Sequence, residues 1–79
     1  MKISVIITLK KDVLDPQGKV IQQTLQNMGV TSLKGLRQGK FMEIELNETD
    51  EKQAFSIVED MCKKLLVNLI IEEYKINKI

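Results

Sequence analysis

The chain begins with a segment in which apolar and polar residues alternate. One parity holds large aliphatic residues: Ile3, Val5, Ile7 and Leu9. The other parity is mostly polar: Lys2, Ser4, Thr8 and Lys10. Ile6 is the exception. Because residues two apart on a strand point to the same side of a sheet, the pattern predicts a first strand with one buried face.

A helix is predicted over residues 16–28. The side-chain oxygen of Asp15 can accept a hydrogen bond from the free amides of a first turn, and Pro16 has the φ angle that suits the first helical position. Apolar residues then recur at helical spacing: Val20, Ile21, Leu25 and Met28. Gly29 is expected to close the helix in a left-handed conformation.

The period returns to two in residues 31–47, TSLKGLRQGKFMEIELN. Three apolar positions are predicted to face inward: Met42, Ile44 and Leu46. Their neighbours are predicted to face outward: Phe41, Glu43 and Glu45. Gln38 and Gly39 interrupt the pattern. Two strands joined by a tight hairpin are favoured, because Gly39 can take a positive φ without steric cost. A single long strand with a bulge at Gly39 is the alternative.

A second helix is predicted from Asp50, its N-cap, through residue 66. Its apolar residues recur at helical spacing: Ala54, Ile57, Val58, Met61, Cys62, Leu65 and Leu66. Residues 69–76, LIIEEYKI, are expected to form a last strand. The order βαββαβ predicts an α+β ferredoxin-like two-layer sandwich, with a four-stranded antiparallel sheet and two helices on one face. Residues 1–79 form a single predicted domain.

The sheet face without helices is a candidate interface. Ile6 and Phe41 are expected on it, with Leu33 or Leu36 and Tyr74 extending the patch. A chain of 79 residues is near the lower size at which one core suffices, so we expect self-association. Ile6, Phe41 and Tyr74 are therefore the candidate dimer face. Scattered solvent-facing apolar side chains are the alternative interpretation.

Composition narrows the classes of partner. Twelve Lys and Arg against eleven Asp and Glu leave a net charge of +1, which provides no overall field for binding nucleic acid. No apolar run approaches the ~20 residues that cross a bilayer, so no membrane association is expected. The single Cys62 cannot form an internal disulfide and suits a reducing compartment. We expect a cytoplasmic protein.

Few side chains offer catalytic chemistry. The chain has no His, which is the commonest general base and metal ligand. Cys62 lies late in the second predicted helix and on its apolar stripe, so we interpret it as a packing residue rather than a nucleophile. Glu43 and Glu45 share one face of a strand, and a solvated face is favoured over a cation site.

Three segments resemble the PurS family: VLDPQGKVI, LRQGK and MCKKLLVNLIIEEY. This family is the small third subunit of the phosphoribosylformylglycinamidine synthase complex in purine biosynthesis. One departure is Leu69, which stands where the family often has proline. Without a proline to break the helix, Asn68 is expected to end it in a left-handed conformation.

The resemblance implies a non-catalytic subunit that is a homodimer or higher oligomer. It implies that the subunit joins a glutaminase subunit, which releases ammonia, to a large synthetase subunit, which makes the amidine. A part in enclosing the ammonia route is a further implication. No cofactor is expected on this subunit, whereas ATP and magnesium are expected on the synthetase subunit.

Candidate partner-binding residues come from the first two segments: Asp15, Pro16, Gln17, Gly18, Arg37 and Lys40. Glycine in a first helical turn costs ~0.5–1 kcal/mol relative to alanine, so Gly18 suggests close approach of another backbone. Gly18→Leu is expected to leave the dimer folded and to weaken complex assembly.

Two other classes of function remain open from sequence. The first is a small-molecule-binding regulatory module of ferredoxin-like fold, for which no clustered polar residues are apparent. The second is a small stand-alone enzyme such as an acylphosphatase, which would need an arginine and an amide on a phosphate loop. Arg37 and Asn68 do not fit that spacing.

Overall fold

The computed structural model describes all residues, 1–79, and contains three strands and two helices. They follow the chain in this order: β1 Lys2–Leu9, α1 Pro16–Asn27, β2 Gly39–Glu45, α2 Glu51–Met61 and β3 Glu72–Lys78. A single π-helical turn, Cys62–Leu66, continues α2. Neither helix has the length and apolar content needed to cross a membrane.

The sheet is antiparallel, with β1 between β2 and β3. Ile3 lies opposite Ile44, and Val5 lies between Met42 and Ile76, so the inward parity predicted for β1 and β2 is confirmed. Ile3, Val5 and Ile7 are at most 1% exposed because α2 covers this side of the sheet.

Helix α2 completes the core. Asp50 caps it by accepting a hydrogen bond from the Lys52 amide at 3.2 Å, as predicted for an N-cap. Three of the seven residues predicted from helical spacing are buried: Ala54 and Val58 in α2, and Cys62 at the start of the π-helical turn. Ile57 and Leu65 are instead 37% and 84% exposed. The prediction that Cys62 packs in the core is confirmed, since the residue is fully buried.

The predicted four-stranded sheet is wrong, because the sheet has three strands. Residues 31–38 belong to no strand, and β2 begins at Gly39 without a positive φ, so there is no hairpin at that glycine. Backbone groups of residues 33–36 instead bond to glutamine side chains of α1. Gln26 donates to the Leu33 carbonyl at 2.8 Å, and Gln22 accepts from the Leu36 amide at 3.1 Å.

The placement of both helices over one sheet face is also wrong. Helix α1 packs on neither the sheet nor α2, and only α2 covers the core. We call residues 16–36, which comprise α1 and the segment bonded to it, the arm. The arm makes the chain 48 Å long and only 14 Å thick. The radius of gyration is 16.0 Å, whereas about 12 Å is typical of a compact domain of this length.

A left-handed residue was predicted at the C-terminal end of each helix, and the structure contains only one of the two. Gly29 follows α1 with a φ of 110°, which confirms the left-handed residue expected there. Asn68 has no positive φ, so its predicted left-handed conformation is wrong. The helix ends before it through the π-turn, in which the Val67 amide donates to the Cys62 carbonyl at 3.0 Å. The Asn68 side chain then accepts from the Ile70 amide at 3.2 Å.

Candidate functional site

The three segments that resemble the PurS family meet at one end of the sheet, where the arm is attached. Strand pairing sets Gly39 opposite Thr8 and Glu72 opposite Leu9. The start of α1 lies beside the start of β2, because the Gln38 amide donates to the Asp15 carboxylate. We call residues 15–18, together with residues 37 and 38, the joint, because they connect the arm to the sheet.

Asp15 is the central residue of the joint. One carboxylate oxygen, Oδ1, accepts from the Gly18 amide at 3.1 Å and forms the N-cap predicted from sequence. The other oxygen, Oδ2, accepts from the Gln38 amide at 2.7 Å. The pKa of Asp15 is lowered below its ordinary value, chiefly by the hydrogen bond from Gln38 and then by that from Gly18. Desolvation raises this pKa and partly opposes the two bonds, whereas the positive charge of Arg37 lowers it further. Both oxygens are thus used within the chain.

Gly18 is the buried glycine of the joint. A Cβ atom placed on it would clash with the carboxyl group of Asp15 and would lie 3.1 Å from the carbonyl oxygen of Leu36. The close approach inferred from sequence therefore has an explanation within the same chain. Its proposed contact with a larger subunit stays a prediction, but Gly18→Leu is no longer expected to leave the fold intact.

Arg37 spans the two connections that enter and leave the arm. Its Nη2 donates to the Val13 carbonyl at 2.8 Å and to the Lys10 carbonyl at 3.1 Å, and its Nη1 donates to the Lys11 carbonyl at 3.4 Å. A planar guanidinium can serve several acceptors at once in a way that a lysine ammonium cannot. The side chain predicted to contact a partner thus holds a turn of its own chain.

The remaining candidate residues, in the joint and next to it, are more exposed to solvent. Pro16 is exposed at the first position of α1, and Gln17 accepts from the Gln38 side chain at 3.0 Å. Lys40 lies 3.7 Å from the Glu72 carboxylate, which is largely buried. The structure therefore brings the predicted partner-binding residues together at one end of the sheet, where the arm is attached. Whether they contact a partner stays a prediction.

The candidate dimer face is only partly assembled by the fold. Ile6 and Phe41 are cross-strand partners on the side of the sheet away from α2, and they are 40% and 63% exposed. Tyr74 lies opposite Ile7 instead, on the helix side, where it packs against the core. Leu33 and Leu36 belong to the arm and are half-buried there.

Sequence reasoning missed a different apolar surface. Val20, Ile21 and Met28 belong to a predicted helix that was expected to cover the sheet, but they are 62%, 42% and 75% exposed on α1 and at its C-cap. Gln22 and Gln26 occupy another face of this helix and bind residues 33–36. We call Val20, Ile21 and Met28 the α1 stripe. Its helical spacing was a visible signal, but the spacing alone does not tell what covers it.

The chemistry of the described residues is limited. No three His, Cys, Asp or Glu side chains lie close enough together to hold a metal ion. Burial, followed by the nearby Glu59 charge, raises the pKa of the Cys62 thiol. Glu43 pairs with Lys2 at 3.5 Å on the exposed side of the sheet.

Known proteins share both the sequence and this shape. The family model for PurS, described as phosphoribosylformylglycinamidine (FGAM) synthase, matches residues 2–79. The PurS subunit of Bacillus subtilis is 39% identical over 74 residues, which are 94% of this chain and 87% of that protein. The crystal structure of Methanocaldococcus jannaschii PurS is 42% identical with a TM-score of 0.87, over 99% of this chain and 96% of that one.

A complex structure adds a further neighbour. A chain in the structure of PurLQS from Thermotoga maritima is 31% identical with a TM-score of 0.92, and the match covers 99% of this chain and 95% of that one. The three-stranded sheet, the projecting arm and the joint thus occur in a chain whose sequence and fold match PurS throughout. This chain belongs to the PurS family.

Proposed function

We propose that this protein is the small assembly subunit of phosphoribosylformylglycinamidine synthase. The M. jannaschii relative is described as one of the subunits of formylglycinamide ribonucleotide amidotransferase in the purine biosynthetic pathway, and the T. maritima neighbour comes from a PurLQS complex. The subunit acts by binding other proteins and has no catalytic step of its own. The exposed α1 stripe is the observation that carries this proposal.

The shape of the chain supports an obligate partner. Only ten of 79 residues are buried, and the core cluster has seven members, all outside the arm. A core of this size supplies little net stability. The α1 stripe adds three large side chains that the chain itself leaves in water. Burial of such a side chain stabilises by roughly 1.5–3 kcal/mol, so a protein that covers the arm gains both stability and affinity.

The partner that covers the arm is a second copy of this chain. Each copy has one uncovered stripe, and a twofold axis lets each copy cover the stripe of the other, so that neither stripe stays exposed. The side of the sheet that carries Met42, Tyr74 and Ile76 is only half-buried by α2, which provides apolar surface for a neighbouring arm. The homodimer is thus built mainly through α1.

The dimer joins a glutaminase subunit to a large synthetase subunit in the cytoplasm. It binds no cofactor; ATP and magnesium belong to the synthetase subunit. Holding the two enzymes together shortens the path of ammonia from one to the other and helps to enclose it. The region where the arm meets the sheet, which carries Pro16, Gln17 and Lys40, is the surface through which a larger subunit docks.

Reconstitution with a glutaminase and a synthetase subunit of this pathway tests the proposal. Glutamine-dependent amidine formation should require this protein, whereas formation from free ammonia should depend on it much less. The Ile21→Lys variant should support less glutamine-dependent activity than Gln23→Lys, which adds the same charge on the opposite side of α1. Equal glutamine-dependent rates with and without the protein would refute the assembly role.

A further inference from the structure

The arm and the sheet share no apolar core. The core cluster and the partly buried residues packed against it include no residue between positions 10 and 38. What connects the two parts, apart from the chain itself, is a set of hydrogen bonds at the joint. The direction of the arm therefore depends on polar contacts of defined geometry rather than on packing.

We propose that Asp15 and Arg37 are positioning residues that set the direction in which the arm leaves the sheet, and that this direction determines whether a second copy can dock. The second half of the proposal rests on the homodimer proposed above. Neither residue needs to touch the partner for this role. The joint holds each α1 stripe where the other copy can cover it.

Asp15 suits this role because its two oxygens serve two parts of the molecule. Oδ1 accepts from Gly18 inside the arm, and Oδ2 accepts from Gln38, the residue directly before β2. An asparagine could still cap the helix through one oxygen, but its amide group cannot accept from Gln38. Asp15→Asn therefore keeps at most one of the two hydrogen bonds, so this side chain no longer links the arm to the residue before β2.

Arg37 stabilises the same geometry from the other side. It precedes β2 and donates to three carbonyls in the segment that leads from β1 to α1. The two connections between sheet and arm are thereby tied to each other. Arg37→Lys keeps the charge but cannot reproduce the planar fork, so it tests the same geometry without altering the helix cap.

Spin labels measure the direction of the arm directly. Cysteines replace the exposed Asn27 at the end of α1 and the exposed Lys75 on β3, in a Cys62→Ala background. Dilution with unlabelled protein restricts the measured distances to pairs within one chain. Asp50→Asn is the matched control. It makes the same chemical change at the N-cap of α2, which covers the sheet and takes no part in the joint.

Asp15→Asn should broaden the distribution of distances between the labels and raise the dimer dissociation constant about tenfold, as expected for losing a charge-assisted hydrogen bond. Asp50→Asn should leave the distribution unchanged. A distribution as narrow as that of the parent would overturn the proposal. A broad distribution with unchanged dimer affinity would overturn the claim that arm direction governs docking.

Two further measurements distinguish a misfolded variant, or a failure of the proposed homodimer, from a failure of the proposed positioning role. If Asp15→Asn lacks the far-ultraviolet circular dichroism of the folded chain, Arg37→Lys takes its place, with the same broadening expected and the same narrow distribution contradicting it. If the parent protein is a monomer by analytical ultracentrifugation, the proposed homodimer fails. The distance measurement on the single chain then still decides whether the joint positions the arm.

Discussion

Gly18 and Leu36 lie so close that a Cβ atom on the glycine would stand 3.1 Å from the leucine carbonyl oxygen. The same atom would also meet the carboxyl carbon of Asp15 at 2.9 Å. Gly18 sits in the first turn of α1, whereas Leu36 ends the segment that runs back along the helix. The glycine thus permits α1 and that segment to approach each other beside the joint.

Gly18→Ala should destabilise the protein for this reason. Overpacking at a close contact typically costs about 1–3 kcal/mol, which exceeds the ~0.5–1 kcal/mol that alanine gains over glycine in a helix. Urea unfolding measures the change. Gly35→Ala is the control, because nothing lies within 4 Å of its added Cβ and its φ is not left-handed. An equal free energy of unfolding for Gly18→Ala and the parent would contradict the close approach.

The hydrogen bonds to Asp15 predict a dependence of stability on pH. Because the bonds from Gln38 and Gly18 lower the folded-state pKa of this carboxyl, its contribution is fully present above the unfolded pKa of about 3.9. The contribution is lost as the pH falls below that value and through the lowered folded pKa. The gap in unfolding free energy between the parent and Asp15→Asn should therefore shrink between pH 6 and pH 3. A constant gap would show that the carboxylate form has no special stabilising role.

The α1 stripe predicts where a single charge disrupts association. Ile21→Lys should raise the dissociation constant of the dimer at least tenfold, because burying a lysine without a partner for its charge is unfavourable. Sedimentation velocity over a concentration series measures the shift. Gln23→Lys, on the other side of α1, should leave association unchanged.

A substitution on the sheet face away from α2 tests the alternative location of the dimer interface. Phe41 is exposed there next to Ile6 and was predicted from sequence to belong to the dimer face. If Phe41→Lys dissociates the dimer and Ile21→Lys does not, the interface lies on the sheet and not on the arm.

Leu69 can be replaced by the proline that the family often has at this position. Its backbone amide takes part in none of the hydrogen bonds of the turn, whereas the Ile70 amide donates to the Asn68 side chain at 3.2 Å. Leu69→Pro should leave the free energy of unfolding unchanged or raise it by about 0.4–1 kcal/mol, because proline reduces the conformational entropy of the unfolded chain. Thermal unfolding measures this, with Ile70→Pro as the control that loses a hydrogen bond and lowers the melting temperature. Equal losses in both variants would show that residue 69 cannot adopt the φ of proline.

Local pattern was sufficient for the elements that depend on neighbouring residues. The parity of Ile3, Val5 and Ile7 identified the buried face of β1, and the same logic identified Met42 and Ile44 on β2. Asp15 and Asp50 were recognisable as N-caps because a cap and the amides it binds are two or three residues apart. The family was recognisable too, since three continuous segments carry the resemblance.

Tertiary structure alone decided what each surface meets. Helical spacing marked Val20 and Ile21 as apolar, but the covering surface is not encoded in the spacing, and here the chain leaves them exposed. The alternation of residues 33–36 predicts a strand, yet Gln22 and Gln26 supply the hydrogen bonds that a strand neighbour would have made. The bond between Asp15 and Gln38 spans 23 positions and exists only because the chain returns to the joint. Pairing over such distances depends on where the whole chain is placed in space, and no local pattern of residues contains that information.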